Sequence, residues 1–383
     1  MPVTTTGVQY SGIWNLSSQA NAVALTTWPA AYNPQALYSW GSNANGELAL
    51  GNTVGKSSPN QVGALTTWLQ VSGSYSILAT KTDGTLWSWG LGTAGVLGLG
   101  NTTSYSSPKQ VGALTAWLRV SSGGYFSSAI KTDGTLWAWG NGNNGVLGLG
   151  NTTSYSSPKQ VGALTTWKDV VCSDSYSLAI KTDGTLWSWG RNNAGQLGLG
   201  NTTNYSSPKQ IGALTTWLYV AGGYKSGFAV TTSGALYAWG RNNLGQLGLG
   251  NTTYYSSPKQ VGALSNWGSI NKNYTAIFAV KTDNTLWAWG QNAQGQLGDG
   301  TTTQRNSPVQ IGALTTWKWI VGNSGGGVAI KTDGTLWTWG YGAAGNLGTG
   351  STVSVSSPVQ VGALTTWIKS FGDGQSVFAT LST

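Results

Sequence analysis

Short runs of alternating apolar and polar residues recur along this chain, each bounded by Gly, Ser, Asn or Asp. Residues 158–190, PKQVGALTTWKDVVCSDSYSLAIKTDGTLWSWG, hold four such runs: PKQVGAL, TWKDVVC, SLAIKT and TLWSWG. In the last, Trp187 and Trp189 fall on one side of an extended strand and Leu186 and Ser188 on the other. Asp183-Gly184 between two alternating runs predicts a hairpin, with a type I′ turn that places both residues at positive φ. Each repeat is therefore expected to form a four-stranded antiparallel sheet that begins with the PKQVGAL strand. The Gly-rich stretch RNNAGQLGLGNTTNYSSP would carry the chain onward to the next sheet.

The dipeptide Trp-Gly punctuates the chain at Trp40, Trp89, Trp139, Trp189, Trp239, Trp289 and Trp339, spaced by 49 residues once and by 50 thereafter. A period of this length, without helical apolar spacing, predicts an all-β seven-bladed β-propeller of four-stranded antiparallel blades. Two parts are expected: an N-terminal attachment arm or cap over residues 1–34, and the propeller over residues 35–383. Ala379 to Thr383 align with Ala329 to Asp333, and Gln35 to Trp40 align with Gly334 to Trp339. The N-terminal strand should thus complete the last blade, closing the ring and removing free sheet edges. Nineteen of the 22 tryptophans occupy three repeat positions, which assigns them to the core rather than to a ligand cage. At about 25 cal/mol per Å², burying one indole contributes about 5 kcal/mol gross.

Charged residues make up only 8% of the chain, so solubility rests on hydroxyl and amide groups. The single cysteine, Cys172, excludes an intramolecular disulfide and reads as a small buried hydrophobe. The N-terminal sequence predicts no signal peptide, and no run is long enough for a membrane span. Five of the ten acidic residues, Asp83, Asp133, Asp183, Asp283 and Asp333, stand at the hairpin turn; Glu47, Asp169, Asp174, Asp299 and Asp373 are scattered. With no His, one Cys and no carboxylate pair, the chain is read as a non-enzyme without metal or cofactor. The NTT triplets at Asn101, Asn151, Asn201 and Asn251 are read as turns rather than glycosylation sites.

The pattern SxAIKTDGTLWSWGxNxxGQLGLGNTT followed by SPxQVG resembles the repeat of the regulator of chromosome condensation family, over residues 35 to 383. The resemblance implies a seven-bladed propeller. Its members include a nucleotide exchange factor for a small GTPase, a plant ultraviolet photoreceptor, bacterial β-lactamase inhibitors and viral surface proteins. The family's His before the second-to-last strand is missing, with Tyr75, Tyr125, Tyr176, Tyr224 and Tyr274 near that place. The projecting hairpin and chromatin-binding arm of the exchange factor, and the photoreceptor's GWRHT motif, are not found. The segment GVQYSGIWNLSSQANAVA resembles leaders of marine tailed-phage virion proteins.

Net charge is +9, and residues 91 to 270 hold eleven Lys/Arg against four Asp. Lys109, Lys159, Lys209 and Lys259 recur in SSPKQ and should form an arc on one rim, which either keeps the ring soluble or attracts a polyanion. Nucleic acid is not the expected polyanion, because aromatic and Arg interleaving is lacking. The functional expectation is a structural or adhesion protein of a phage virion, such as a tail fibre, spike or capsid decoration, located on a virion or extracellular surface. Its partners would be other virion subunits or copies of itself, and an anionic host-surface glycan. The alternative is a cytoplasmic protein-binding propeller, an inhibitor or exchange-factor-like hub. Tyr10, Ile13, Trp14 and Trp28 make the uncharged segment 1–34 apolar enough to dock on a partner as an assembly arm.

Overall fold

The computed structural model describes residues 35–65, 67–73, 75–372 and 376–382. Tyr10, Ile13, Trp14 and Trp28, with the rest of segment 1–34, lie outside the described residues. Seven four-stranded antiparallel sheets follow one another, as the period predicts. The inner strand of blade one is Trp68–Gly73, followed by Ser76–Lys81, Leu86–Gly90 and the outer strand Tyr105–Gln110. Inner strands of neighbouring blades touch in an unbroken cycle, which sets them around a common axis.

The last blade joins both ends of the chain. Gln35–Gly41 pairs residue for residue with Ser376–Ser382, from Gln35 opposite Ser382 to Gly41 opposite Ser376. Lys56–Gln61 adds the outer strand, so the N-terminal part supplies two strands of this blade and the C-terminal part the other two.

Three expectations need correction. First, the SPKQ run belongs to the blade before it, not after: Tyr205–Gln210 pairs with Leu186–Gly190, with Trp187 opposite Gln210. The Gly-rich stretch is a loop inside one blade, and VGALTT is the crossing to the next. The physical reason is Pro208, which lacks an N–H and suits a strand with one unpaired side, together with polar neighbours unfit for a crowded axis. Second, the ring does not remove all edges, because every blade keeps an exposed outer strand. The Pro in each of these strands, and the Lys in five of them, discourage pairing with another chain. Third, at the Asp-Gly turns only the glycine has positive φ, +76° at Gly84. Gly84 N donates to Lys81 O and Lys81 N to Thr85 O, a three-residue loop that needs a left-handed residue only at its last position. In blade five Asn284 fills that position at φ +62°.

Two motifs lock the blades. Each Trp-Gly tryptophan is fully buried and donates its indole N–H to a carbonyl in the GQLG turn of the preceding blade. Trp139 reaches Val96 O at 2.8 Å, Trp239 reaches Gln196 O at 2.9 Å, and Trp40 closes the cycle on Asn346 O at 3.1 Å. Gly98 must be glycine, since a Cβ there would sit 2.8 Å from Trp139 Nε1. The second motif is a relay at the Asp-Gly turn. Trp87 Nε1 donates to Thr85 Oγ1 at 2.8 Å, Thr85 Oγ1 donates to Asp83 at 2.6 Å, and Lys81 Nζ lies 3.6 Å above the Trp87 ring. The turn lysines are therefore held by indole faces as well as by the nearby carboxylate. Blade four has lost the whole set together, carrying Thr231, Ser233, Ala235 and Tyr237 instead. In blade seven Leu381, Ala36 and Tyr38 stand at the Lys, Thr and Trp places. Without the indole donor the threonine acceptor has no task, and without the indole face the lysine has no seat. The Thr hydrogen bond holds the Asp83, Asp133, Asp183, Asp283 and Asp333 carboxyls below the usual range.

Candidate functional site: the axis and the variable face

The inner strands leave one backbone edge facing the axis, where N–H groups need partners. Side chains of the preceding blade supply them. Gln70 Oε1 accepts from Val120 N at 3.2 Å, Ser72 Oγ from Ser122 N at 3.1 Å, and Ser121 Oγ from Cys172 N at 2.8 Å. Trp319 Nε1 donates to Ser370 O at 2.8 Å. Gln70 and Trp319 share one repeat position with Arg119, Asp169, Tyr219, Ser269 and Lys369. No two of these seven are alike, whereas the first inner-strand position is Trp in every blade and the fourth is Val or Ile in all but the last. Packing explains part of this, because seven identical side chains cannot share one axis.

Their electrostatics are coupled. Burial raises the Asp169 carboxyl, and Arg119 opposes that shift. Burial first, and the Asp169 charge second, raise the Tyr219 phenol. Lys369 is brought down to about 8 by burial, with Arg119 and Lys318 adding repulsion. A lowered lysine pKa means that the fold disfavours the charged form. Its cost is absent above the ordinary value near 10.5, grows as pH falls towards 8, and is constant below. We expect one methyl-labelled lysine resonance to titrate near pH 8 and to vanish in Lys369→Met. That variant should be more stable than the parent at pH 7, by on the order of 2 kcal/mol, with the gain fading by pH 10. A Lys369 resonance titrating above pH 10 would contradict this account.

The two faces of the ring differ. One carries the Asp-Gly turns and the outer-to-inner crossings, which read VGALTT, VGALTA, VGALTT, IGALTT, VGALSN, IGALTT and VGALTT. This repeat face exposes one leucine per blade, Leu65, Leu114, Leu164 and their counterparts to Leu364, between 47% and 52% exposed. The other carries the Gly-rich loops, which largely repeat, and the turns between inner and second strands, where SSGGYF, VCSDSY, AGGYKS, NKNYTA and VGNSGG follow one another without agreement. Tyr75, Gly123, Gly124, Ser173, Asp174, Tyr224, Lys272 and Tyr274 line a small hollow of about 30 Å³ on this variable face. Of the tyrosines near the family's His place, Tyr125 and Tyr274 are exposed and Tyr75 and Tyr224 half-buried. Tyr176 is buried, and its hydroxyl donates to Ser226 O at 2.6 Å.

Other residues singled out in the sequence lie elsewhere in the blades. Lys109, Lys159, Lys209 and Lys259 lie exposed on the outer strands of four consecutive blades, each 5.5 to 5.7 Å from the ring of Tyr105, Tyr155, Tyr205 or Tyr255. Asn101, Asn151, Asn201 and Asn251 accept from the backbone N–H two residues on, as turn residues do. Cys172 is buried, which pushes its thiol up to about 12. Asp299 pairs with Arg305 at 2.9 Å, Glu47 binds Asn45 N at 2.8 Å, and Asp373 lies outside the described residues. Among the described residues no group of three acidic or Cys side chains gathers as metal ligands would, and no helix is long and apolar enough to cross a membrane.

A closed seven-bladed ring with an uneven face defines a propeller of the scaffold class. A family model for the RCC1-like domain matches residues 36–379, and the chain belongs to that family. No curated protein matches the chain by sequence. Solved structures of similar fold include Prp20p from Saccharomyces cerevisiae, 19% identical with a TM-score of 0.84 over 98% of this chain and 96% of that one. Human WBSCR16 is 19% identical with a TM-score of 0.81 over 91% and 99%. Yeast RCC1 (Prp20), solved with Kap60 bound, gives 19% and 0.84 over 100% and 95%. At this identity the likeness fixes the fold alone.

Proposed function

We propose that this chain is a non-enzymatic, protein-binding propeller that holds one asymmetric partner on its variable face. The unequal divergence of the two faces carries this reading. Seven near-identical stations offer a single partner seven equivalent registers, and equal affinities give no specificity. Seven unlike inner turns make one register distinguishable from the other six. Prp20p was studied for its binding to Gsp1p and histones, and the carry-over proposed here is a protein partner of unspecified identity.

A second reading, a structural or adhesion subunit of a virion or other particle, is favoured by the leucine ring of the repeat face. A repeated apolar face suits a repeated or symmetric neighbour. In that reading residues 1–34 are the attachment arm, and the Lys109 to Lys259 arc meets an anionic glycan.

Two surface variants separate the readings. One combines Tyr75→Ala, Tyr125→Ala and Tyr274→Ala on the variable face; the other combines Leu114→Asp, Leu164→Asp and Leu214→Asp on the repeat face. Affinity capture from the source cells, quantified by mass spectrometry, should recover one partner at a 1:1 ratio with the parent and the leucine variant. The tyrosine variant should lose it at least tenfold. If instead the parent forms a homo-oligomer in mass photometry that only the leucine variant dissociates, and no 1:1 partner is found, the assembly reading replaces the first.

A further inference from the structure

At one place on the variable face, three cations and two aromatic rings meet with a single acid, Asp174, beside them. Tyr224 and Lys225 form the two-residue turn between Gly223 and Ser226 in blade four. Lys225 Nζ and Arg241 Cζ each lie 5.4 Å from the Tyr224 ring centre. Tyr274 of blade five stacks at 5.9 Å, tilted by 49°. Arg191, the first residue after the Trp-Gly of blade three, is close enough to Lys225 to act on its charge. Burial, then Arg191 and Arg241, lower the Lys225 ammonium, with Asp174 opposing them. Among the described residues none of the three cations forms an ion pair. Arg241 Nε donates to Asn243 Oδ1 at 2.7 Å, which fixes the guanidinium plane.

The backbone adds an independent sign. Lys225 has φ +58°, a conformation that is unfavourable for a residue with a Cβ and that glycine adopts freely. Lys225 thus holds a left-handed backbone beside two arginines and a tyrosine platform.

We infer that Arg191, Lys225 and Arg241, around the Tyr224–Tyr274 platform, form a docking site for an acidic segment of a protein partner. This deepens the variable-face reading and rests on it. Guanidinium groups donate paired hydrogen bonds to carboxylates, and the tyrosine rings cover the aliphatic stems of acidic side chains. The adjoining hollow of about 30 Å³ has room for one or two waters, and Asp174 in its wall keeps a partner carboxylate on the cation side of the tyrosines. The patch is compact, three cations across two neighbouring blades, whereas a nucleic-acid backbone calls for a longer basic track.

The test uses a fluorescein-labelled peptide of alternating Glu and Gly with two Tyr, read by anisotropy against the full chain from 25 to 200 mM salt. We expect binding that weakens with salt, and a loss of at least tenfold in the combined variant Arg191→Gln, Lys225→Gln, Arg241→Gln. Replacing Lys109, Lys159, Lys209 and Lys259 by Gln should change affinity less than twofold. Lys225→Gly should melt no lower than the parent yet bind at least threefold more weakly, which separates loss of the site from loss of the fold. Equal loss in the outer-lysine variant, no peptide binding by the parent, or tighter site-dependent binding of a single-stranded oligonucleotide would each overturn the inference. If the peptide fails while the tyrosine variant still loses the captured partner, the variable-face reading stands and only the acidic segment is wrong.

Discussion

Deleting residues 376–383 is expected to unfold the ring rather than trim it. Ser376–Ser382 is the second strand of the closing blade, paired on one side with Trp367–Gly372 and on the other with Gln35–Gly41. Val377, Phe378 and Ala379 are buried, so their removal strips the neighbouring blades of core as well as of hydrogen bonds. Without this strand Gln35–Gly41 has no anchor to the C-terminal half, and the Trp40 bond to Asn346 O has nothing to hold it in place. Two sheet edges become available for pairing with other copies. The truncated chain should lose its cooperative melt in circular dichroism and elute as aggregate from a sizing column. A monomer with the parent's melting temperature would show that closure contributes little.

The sequence was legible where the physics repeats. The Trp-Gly period gave seven blades, and the register of the two termini against the sixth repeat gave the closing pair, since strand pairing is set by local pattern. The phase of the blade was open to misreading because both the Gly-rich stretch and VGALTT look like connections. The Pro in each SPxQ run, from Pro59 to Pro358, was the signal that settles it, because a strand lacking that N–H belongs at an edge. The axial residues were harder. Gln70, Arg119, Asp169, Tyr219, Ser269, Trp319 and Lys369 are visible in the chain only as the place where the repeats disagree. What joins them is convergence on one axis, and no spacing rule states that. The cluster of Arg191, Lys225 and Arg241 is less visible still, since it forms between two blades and depends on the course of a two-residue turn. Lys109, Lys159, Lys209 and Lys259 drew notice because they recur in four blades, whereas Arg191 and Arg241 share a repeat position in only two and Lys225 stands alone at its own.

Replacing the Trp-Gly tryptophans by Phe is expected to give unequal losses across the ring, and the inequality can be assigned in advance. Each substitution removes the same indole volume and the same donated hydrogen bond, so the transfer and cavity costs, about 1–3 kcal/mol, are common to all. What differs is the carbonyl left behind. Val96 O and Val146 O accept a second bond, from Ser127 Oγ at 2.9 Å and Ser177 Oγ at 3.0 Å. After Trp139→Phe or Trp189→Phe these buried oxygens keep a partner. Gln196 O and Gln296 O accept from Trp239 and Trp339 beside Gly227 and Gly327, which stand where blades two and three carry Ser127 and Ser177 and offer no hydroxyl. After Trp239→Phe or Trp339→Phe the buried carbonyl is orphaned, at a further cost of about 1–3 kcal/mol. Urea titrations should therefore rank Trp239→Phe and Trp339→Phe well below Trp139→Phe and Trp189→Phe in midpoint. Adding Ser177→Ala to Trp189→Phe should bring blade three down to the level of blade four. Equal midpoints for all four single variants, with no extra loss from Ser177→Ala, would mean that the indole holds the blades by volume alone and that the bond to the preceding blade is incidental.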